Sequence, residues 1–303
     1  MHLSEGLLPV RQAAACVVAV APFVVAGIRA GRGSSAARTG MLTALLFAVT
    51  LFPVPVPVVG VTSHMCATPV LALVVGPTRV IVPTLLVLVL QALFFAHGGI
   101  TTLGANVLTL GIIGPFVAFG VARLARAAGL GPRVAAGVAC GLGDLAVYAT
   151  AACLVGTVVG PPDDLLLNAG RVMAGLAPAQ LPLAVLEGLL SAALVGVLVR
   201  QPSMRLPVWL TGPRVVGAAA LLFVLVGVGR PARAADYLGV DEVVFEAAAK
   251  AAGRHPGPWL DLEGTELGRA LYGGAMLLAG FAMGVGWAHV RRFGPARGRQ
   301  GDP

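Results

Sequence analysis

Long, continuous runs of apolar residues are the feature of this chain that most restricts its fold. Residues 12–30 and 134–158 carry one charged residue each, Arg29 and Asp144. A run of about 17–25 apolar residues is the length that a helix needs to cross a bilayer. Because the runs are continuous rather than alternating, they favour helices over a β-barrel. We therefore predict an all-α fold, a polytopic transmembrane helical bundle.

The composition supports a membrane protein, because charged residues make up 11% of the 303 residues, against about 25% in soluble domains. The predicted spans lie near residues 12–30, 40–58, 62–76, 79–96, 106–122, 134–158, 173–199, 215–229 and 266–289. Two of these nine, 62–76 and 215–229, are short, so each could be a tilted, partly sunk or re-entrant segment.

The distribution of charge tests the number of spans. If all nine cross and the N-terminus is outside, 14 of the 21 basic residues lie on the cytoplasmic face and ten of the 13 acidic residues lie opposite them. This agrees with the positive-inside rule. Removing either short span would invert the basic clusters that follow it. We therefore predict nine spans, an outer N-terminus and a cytoplasmic C-terminus.

Several functional classes are disfavoured. The topology accounts for the net charge of +8 by orientation and contact with anionic lipid, so no nucleic-acid partner is predicted. The four cysteines lack C-x-x-C spacing and are interpreted as small core residues. No Walker motif, nucleophile elbow or paired-carboxylate signature is present. We predict no enzymatic activity, no catalytic residue and no prosthetic group.

The chain begins with Met1 and His2, and a signal peptide is not expected because the basic n-region is missing. A histidine in second position places an α-amine, a backbone amide nitrogen and an imidazole within reach of one ion. Such nitrogen-rich chelation suits Ni(II), Cu(II) or Co(II) better than Mg or Ca. Met1 and His2 are therefore candidate metal ligands.

The predicted topology places two further histidines on the same outer face as this N-terminus. His64 follows a proline-rich segment, and His97 begins the loop 97–105, whose paired glycines permit backbone shapes that other residues resist. A single histidine at a membrane interface is more often a solvated or hydrogen-bonded surface group. His255 and His289 are excluded from the site, because one lies in a long polar loop and the other ends the last span beside Arg291.

Asp144 and Glu187 are the acidic residues placed within spans. Carboxylates there are costly and are candidates for function. The interpretation we favour is structural, as hydrogen-bonded or helix-capping acids. The alternative is that both belong to a proton pathway.

Several motifs together resemble the CbiM/NikM family, the substrate-capture membrane components of energy-coupling-factor transporters for cobalt and nickel. The resemblance starts at the first nine residues, MHLSEGLLP, and includes a specific loop motif, AHGGITTLGAN, at 96–106. The other matches are Ser63-His64, Gly76-Pro77, Leu90–Leu93, Gly114–Phe116, Gly143–Leu145 and Gln180–Leu190.

This resemblance implies a seven-span capture core that binds one divalent ion from outside, in a bacterial or archaeal plasma membrane. Four nitrogens would hold the ion: the amine of Met1, the amide and imidazole of His2, and the imidazole of His64. Residues that would close over the site or support it by hydrogen bonds are Ser63, His97, Thr101 and Asn106. Two cytoplasmic ATPases and a coupling membrane protein would supply the energy.

The resemblance also divides the chain into a metal-capture domain at 1–204 and an accessory region at 205–303. Two spans flanking an acidic outer loop resemble the small CbiN/NikN component fused to the C-terminus. The loop holds four basic and seven acidic residues between 230 and 266. It could draw cations to the outer mouth, or it could be a solvated linker.

The predicted function is that of the substrate-binding component of an importer for Co(II) or Ni(II). One alternative is a proton-coupled secondary transporter of an organic solute that uses Asp144 and Glu187. Another is a membrane scaffold without transport activity.

Overall fold

The computed structural model describes residues 2–32, 36–56, 59–95, 97–200, 206–210, 238–255, 257 and 265–293. Met1 and the predicted span 215–229 lie outside the described residues. The elements are α1 (Val10–Gly31), α2 (Ala36–Leu51), β1 (Val54–Val56), β2 (Val61–Ser63), α3 (Thr68–Val75), α4 (Pro77–Phe94), α5 (Leu103–Asn106), α6 (Gly114–Ala127), α7 (Pro132–Val159), α8 (Leu165–Leu198), β3 (Leu238–Gly239), α9 (Val240–Ala251) and α10 (Glu266–Phe293). A π-helical stretch, Val107–Ile113, joins α5 to α6.

The predicted all-α membrane bundle is confirmed. Within the described ranges, six helical segments are long and apolar enough to cross a membrane: Val10–Gly31, Pro77–Phe94, Leu103–Ala127, Pro132–Val159, Leu165–Leu198 and Glu266–Gly286. Helix α2 is apolar but shorter, with 16 residues. Each of these seven segments corresponds to one of the predicted spans.

The predicted span 62–76 is not a membrane-spanning helix. Helix α3 has eight residues and is about 12 Å long, against a hydrocarbon thickness of about 30 Å. The residues from His64 to Arg79 nevertheless lead from one end of α1 to the other. Arg79 Nε donates a hydrogen bond of 3.4 Å to Ala30 O at the C-terminal end of α1, whereas His64 lies beside His2, which precedes the other end.

The chain can cross in this irregular form because its backbone is paired within the protein. The N–H groups of Cys66 and Ala67, just before α3, donate to the carboxylate of Glu187. Non-helical backbone at membrane depth is tolerated where protein surrounds it. Sequence periodicity could not reveal this, because the partner lies 121 residues from Cys66 along the chain.

Small residues allow α7 and α8 to pack closely. A Cβ atom added to Gly188 would lie 2.7 Å from Gly137 O, and one added to Gly141 would lie 3.0 Å from Ala184 O. Small residues at helix interfaces are the usual means of close packing in membranes. This contact brings Asp144 of α7 and Glu187 of α8 into the same buried layer.

The described C-terminal segments dock on the core in two places. Strand β3 pairs in parallel with β2, and α9 packs on α7 and α8. Helix α10 packs on α2, where Tyr272 Oη donates to Leu51 O at 2.9 Å. The boundary between 1–204 and 205–303 stays a prediction.

Candidate metal site

Three histidine side chains from separate parts of the chain meet in one site, in which His2 is buried and His64 and His97 are partly buried. One ligand nitrogen each from His2, His64 and His97 lies within 4.8 Å of the others. The ring centroid of His2 is 4.1 Å from that of His97 and 5.3 Å from that of His64. The His64 and His97 centroids are 4.7 Å apart. We call these residues the imidazole cluster.

Hydrogen bonds to the backbone of the next residue position His2. Asn106 accepts from the N–H of Leu3 at 2.7 Å and donates through Nδ2 to Leu3 O at 3.1 Å. Thr102 Oγ1 donates to the same carbonyl at 2.6 Å. Asn106 and Thr102 are almost fully buried, and their hydrogen bonds hold Leu3, and with it the N-terminal segment, in one position.

A second set of contacts joins Glu5 to the loop after His97. The Glu5 carboxylate accepts from the N–H groups of Ile100 and Thr101, and the N–H of Gly6 donates to Thr101 Oγ1 at 3.1 Å. Gly99 permits this approach, because a Cβ there would lie 2.5 Å from Glu5 Cα. Asn106 and Thr101 thus contact the N-terminal backbone and stabilise the segment that carries His2.

His64 follows β2 and is held on both sides along the chain. β2 pairs antiparallel with β1, and Ser63 Oγ accepts from Gln180 Nε2 of α8 at 3.1 Å. On the other side, the backbone N–H groups of Cys66 and Ala67 donate hydrogen bonds to the Glu187 carboxylate at 3.0 and 2.9 Å. Ala67 has a φ of 54°, a left-handed conformation that is uncommon for a non-glycine residue.

A second group of potential ligands lies directly beyond His64. Cys66, Asp144 and Glu187 are buried, and their ligand atoms lie within 4.8 Å of one another. We call them the thiol–carboxylate cluster. Cys66 Sγ donates a hydrogen bond to Asp144 Oδ1 at 3.0 Å. The sequence analysis interpreted this cysteine as a small core residue, and the structure adds a polar contact. The hydrogen-bonded role favoured for the two acids agrees with their contacts.

Burial keeps the histidine rings uncharged. Removal from water, followed by the neighbouring His97 ring, holds the pKa of His2 well below its usual value. Burial also lowers the pKa of His97 to about 3. Among the described residues, Nδ1 of His2 and Nε2 of His97 have no hydrogen-bond partner. Neutral imidazoles with unused lone pairs are the form that binds a transition metal.

Asp241 of α9 is a member of the site that sequence reasoning missed. Its Oδ2 accepts from the N–H of His2 at 3.2 Å and lies 3.7 Å from His64 Nε2. The sequence placed Asp241 only among the acidic residues of the outer face. The predicted topology was the available signal, since it put this loop on the same side as His2. His255, which was excluded, is exposed.

Comparisons with known proteins identify a family of cobalt transport proteins. A family model described as cobalt uptake substrate-specific transmembrane region, CbiM, matches residues 2–204. A cobalt transport protein CbiM of Geobacter sulfurreducens is 37% identical over an alignment 309 positions long, which covers 95% of this chain and 89% of that protein. One of Sorangium cellulosum is 36% identical over 211 residues, covering 67% of this chain and 94% of that protein.

The fold is similar to that of solved transporters as well. The crystal structure of a truncated transition metal transporter superposes with a TM-score of 0.57 at 26% identity, covering 66% of this chain and 98% of that one. The crystal structure of another transition metal transporter gives a TM-score of 0.57 at 25% identity, covering 65% and 92%. The family model and the relatives agree with a membrane bundle, and the chain belongs to the CbiM family of membrane components for cobalt uptake.

Proposed function

We propose that this chain is the substrate-capture component of an energy-coupling-factor importer and that it binds Co(II) through four nitrogens. These are the amine of Met1, the amide nitrogen and Nδ1 of His2, and a ring nitrogen of His64. The observation that carries the proposal is the meeting of His2 and His64 in a buried site. The buried Nδ1 of His2, which has no hydrogen-bond partner among the described residues, supports it, because that atom can close a chelate ring with the amide nitrogen of the same residue.

The supporting contacts explain why the site requires a folded chain. The Asn106 and Thr102 hydrogen bonds hold Leu3, and β2 holds His64 from a different part of the sequence. Ligands held in advance lose little conformational entropy when the ion binds. Ni(II) is the competing substrate, since nitrogen ligands accept both ions.

The direct test is Co(II) titration of the purified full chain with an untouched N-terminus. His2→Ala, or one residue inserted before Met1, is expected to weaken binding by at least ~100-fold, because each removes ligands from the chelate. His255→Ala is the matched control, as it removes an exposed histidine and should bind as the wild type does. Unchanged binding in both N-terminal variants would exclude the proposed site.

The proposal includes transport partners and orientation. The chain would lie in a bacterial or archaeal plasma membrane with the site outside, and two ATPases with a coupling membrane protein would drive uptake. Co(II) uptake by cells should then require the partner subunits as well as this chain. A C-terminal green fluorescent protein should fluoresce and a C-terminal alkaline phosphatase should be inactive, as expected for a cytoplasmic C-terminus.

The alternative of a proton-coupled carrier of an organic solute has less support. Both Glu187 oxygens accept backbone N–H groups of the segment that follows His64, which is a structural use. Uptake that depended on Asp144 and Glu187 but not on His2 would favour the carrier.

A further inference from the structure

The described part of the C-terminal region reaches the imidazole cluster through a strand. β3 pairs in parallel with β2, with Thr62 opposite Gly239. Asp241 follows two residues after Gly239, in the first turn of α9, and its Oδ2 lies 3.7 Å from His64 Nε2. Asp241 is 7% exposed, so the contact lies inside the protein and not at its surface.

Packing and hydrogen bonds hold this segment against the N-terminal residues. Phe245 and Ala249 of α9 share a buried core with Leu3 and Leu7. Arg254, just after α9, donates to the carbonyl oxygens of Gly6 at 2.8 Å and of Leu8 at 3.1 Å. The segment 238–255 is therefore packed against the N-terminal residues, and this part of the acidic loop is not a solvated linker.

One carboxylate oxygen faces two of the proposed nitrogen ligands. Asp241 Oδ2 is 3.2 Å from His2 N and 3.7 Å from His64 Nε2. Two atoms that bind one ion at about 2.1 Å, with an angle of about 90–125° between them, lie about 3.0–3.7 Å apart. Both observed separations from Asp241 Oδ2 fall in this range.

The hydrogen bond also indicates the side of the His2 amide on which an ion would lie. An amide nitrogen binds a transition metal in place of its hydrogen, and the hydrogen of His2 N points to Asp241 Oδ2. An ion bound to this nitrogen is therefore brought towards the carboxylate. A buried divalent ion also needs compensating negative charge; the amide nitrogen without its hydrogen supplies one negative charge and the imidazoles and the amine supply none, so a carboxylate would balance the second positive charge.

We propose that Asp241 binds the captured ion through a carboxylate oxygen, so that the C-terminal region completes the metal site. The inference rests on the proposed function. Four nitrogens in a plane are the arrangement that Ni(II) and Cu(II) prefer. A carboxylate oxygen added to the four nitrogens would give a five-coordinate site, which departs from this arrangement and favours Co(II) over both ions.

Asp241→Asn is the principal test, because it keeps the size of the side chain and removes its charge. We expect Co(II) affinity to fall about 10–100-fold, Ni(II) affinity to fall less, and the visible spectrum of bound Co(II) to change with the ligand set. Glu246→Gln is the matched control: Glu246 lies on the same helix and is exposed, so both affinities and the spectrum should stay as in the wild type.

Asp241→Glu and thermal unfolding separate ligation from folding. The longer carboxylate should restore part of the Co(II) affinity and of the spectrum, whereas a merely structural role would give equal losses for both metals with an unchanged spectrum and would overturn the proposal. Wild-type affinity and spectrum in Asp241→Asn would overturn it too. Loss of binding in His2→Ala would then leave the proposed function standing, while binding retained in His2→Ala would reject that function independently.

Discussion

Two buried polar clusters adjoin each other around residues 64–66, and they differ in chemistry and in how their atoms are used. In the imidazole cluster, Nδ1 of His2 and Nε2 of His97 lack a hydrogen-bond partner among the described residues. In the thiol–carboxylate cluster, Glu187 accepts two backbone N–H groups and Asp144 accepts the Cys66 thiol. The first cluster keeps ring nitrogens for a ligand, whereas the second uses both Glu187 oxygens to hold the segment that follows His64, and it leaves only Asp144 Oδ2 without a partner among the described residues.

The largest expected effect is on the imidazole cluster. His64→Ala removes a proposed ligand, so Co(II) affinity should fall by at least ~100-fold while the unfolding temperature of the metal-free protein changes little. Isothermal titration and thermal denaturation measure the two quantities. A large loss of stability without loss of affinity would reverse the roles of the two clusters.

Glu187→Ala should show the opposite pattern. It leaves the buried N–H groups of Cys66 and Ala67 without their acceptor, which is expected to lower the free energy of unfolding by about 2–4 kcal/mol. Co(II) affinity should fall only as far as His64 loses its position. Glu246→Ala, on an exposed site, controls for the loss of a carboxylate, and the comparison fails if both variants are equally stable.

Asn106→Ala tests whether support of the N-terminus matters to the site. The substitution removes both contacts to Leu3, so we expect Co(II) affinity to fall about 10–100-fold, as for other residues that orient a metal ligand. Thr150→Ala is a suitable control, because among the described residues its hydroxyl donates within its own helix, to Ala146 O. Equal affinity in the two variants would show that His2 needs no such support.

Cys66→Ser is expected to have the smallest effect. A hydroxyl can donate to Asp144 as the thiol does, so the free energy of unfolding should change by less than about 1 kcal/mol, with Co(II) affinity unchanged. A spectrum of bound Co(II) that lost a thiolate charge-transfer band in this variant would show that the thiol–carboxylate cluster binds the ion itself.

Much of the bundle could be predicted because its causes are local. A spanning helix depends on some twenty apolar neighbours in sequence, and seven of the predicted spans correspond to apolar helices. The prediction of a spanning helix at 62–76 was wrong for a non-local reason, because the backbone N–H groups of Cys66 and Ala67 donate to Glu187. The pairing of Cys66 with Asp144 was missed for the same reason.

The sequence by itself determined that this is a membrane bundle, and it predicts a nitrogen chelate at residues 1 and 2, since both inferences rest on residues adjacent in the chain. Only the tertiary structure decided which distant side chains meet there. His97 joins His2 through the loop that Glu5 and Asn106 hold, and Asp241 arrives from 239 residues away through the pairing of β3 with β2. Contacts over such separations depend on how the helices and strands pack, which no local pattern records.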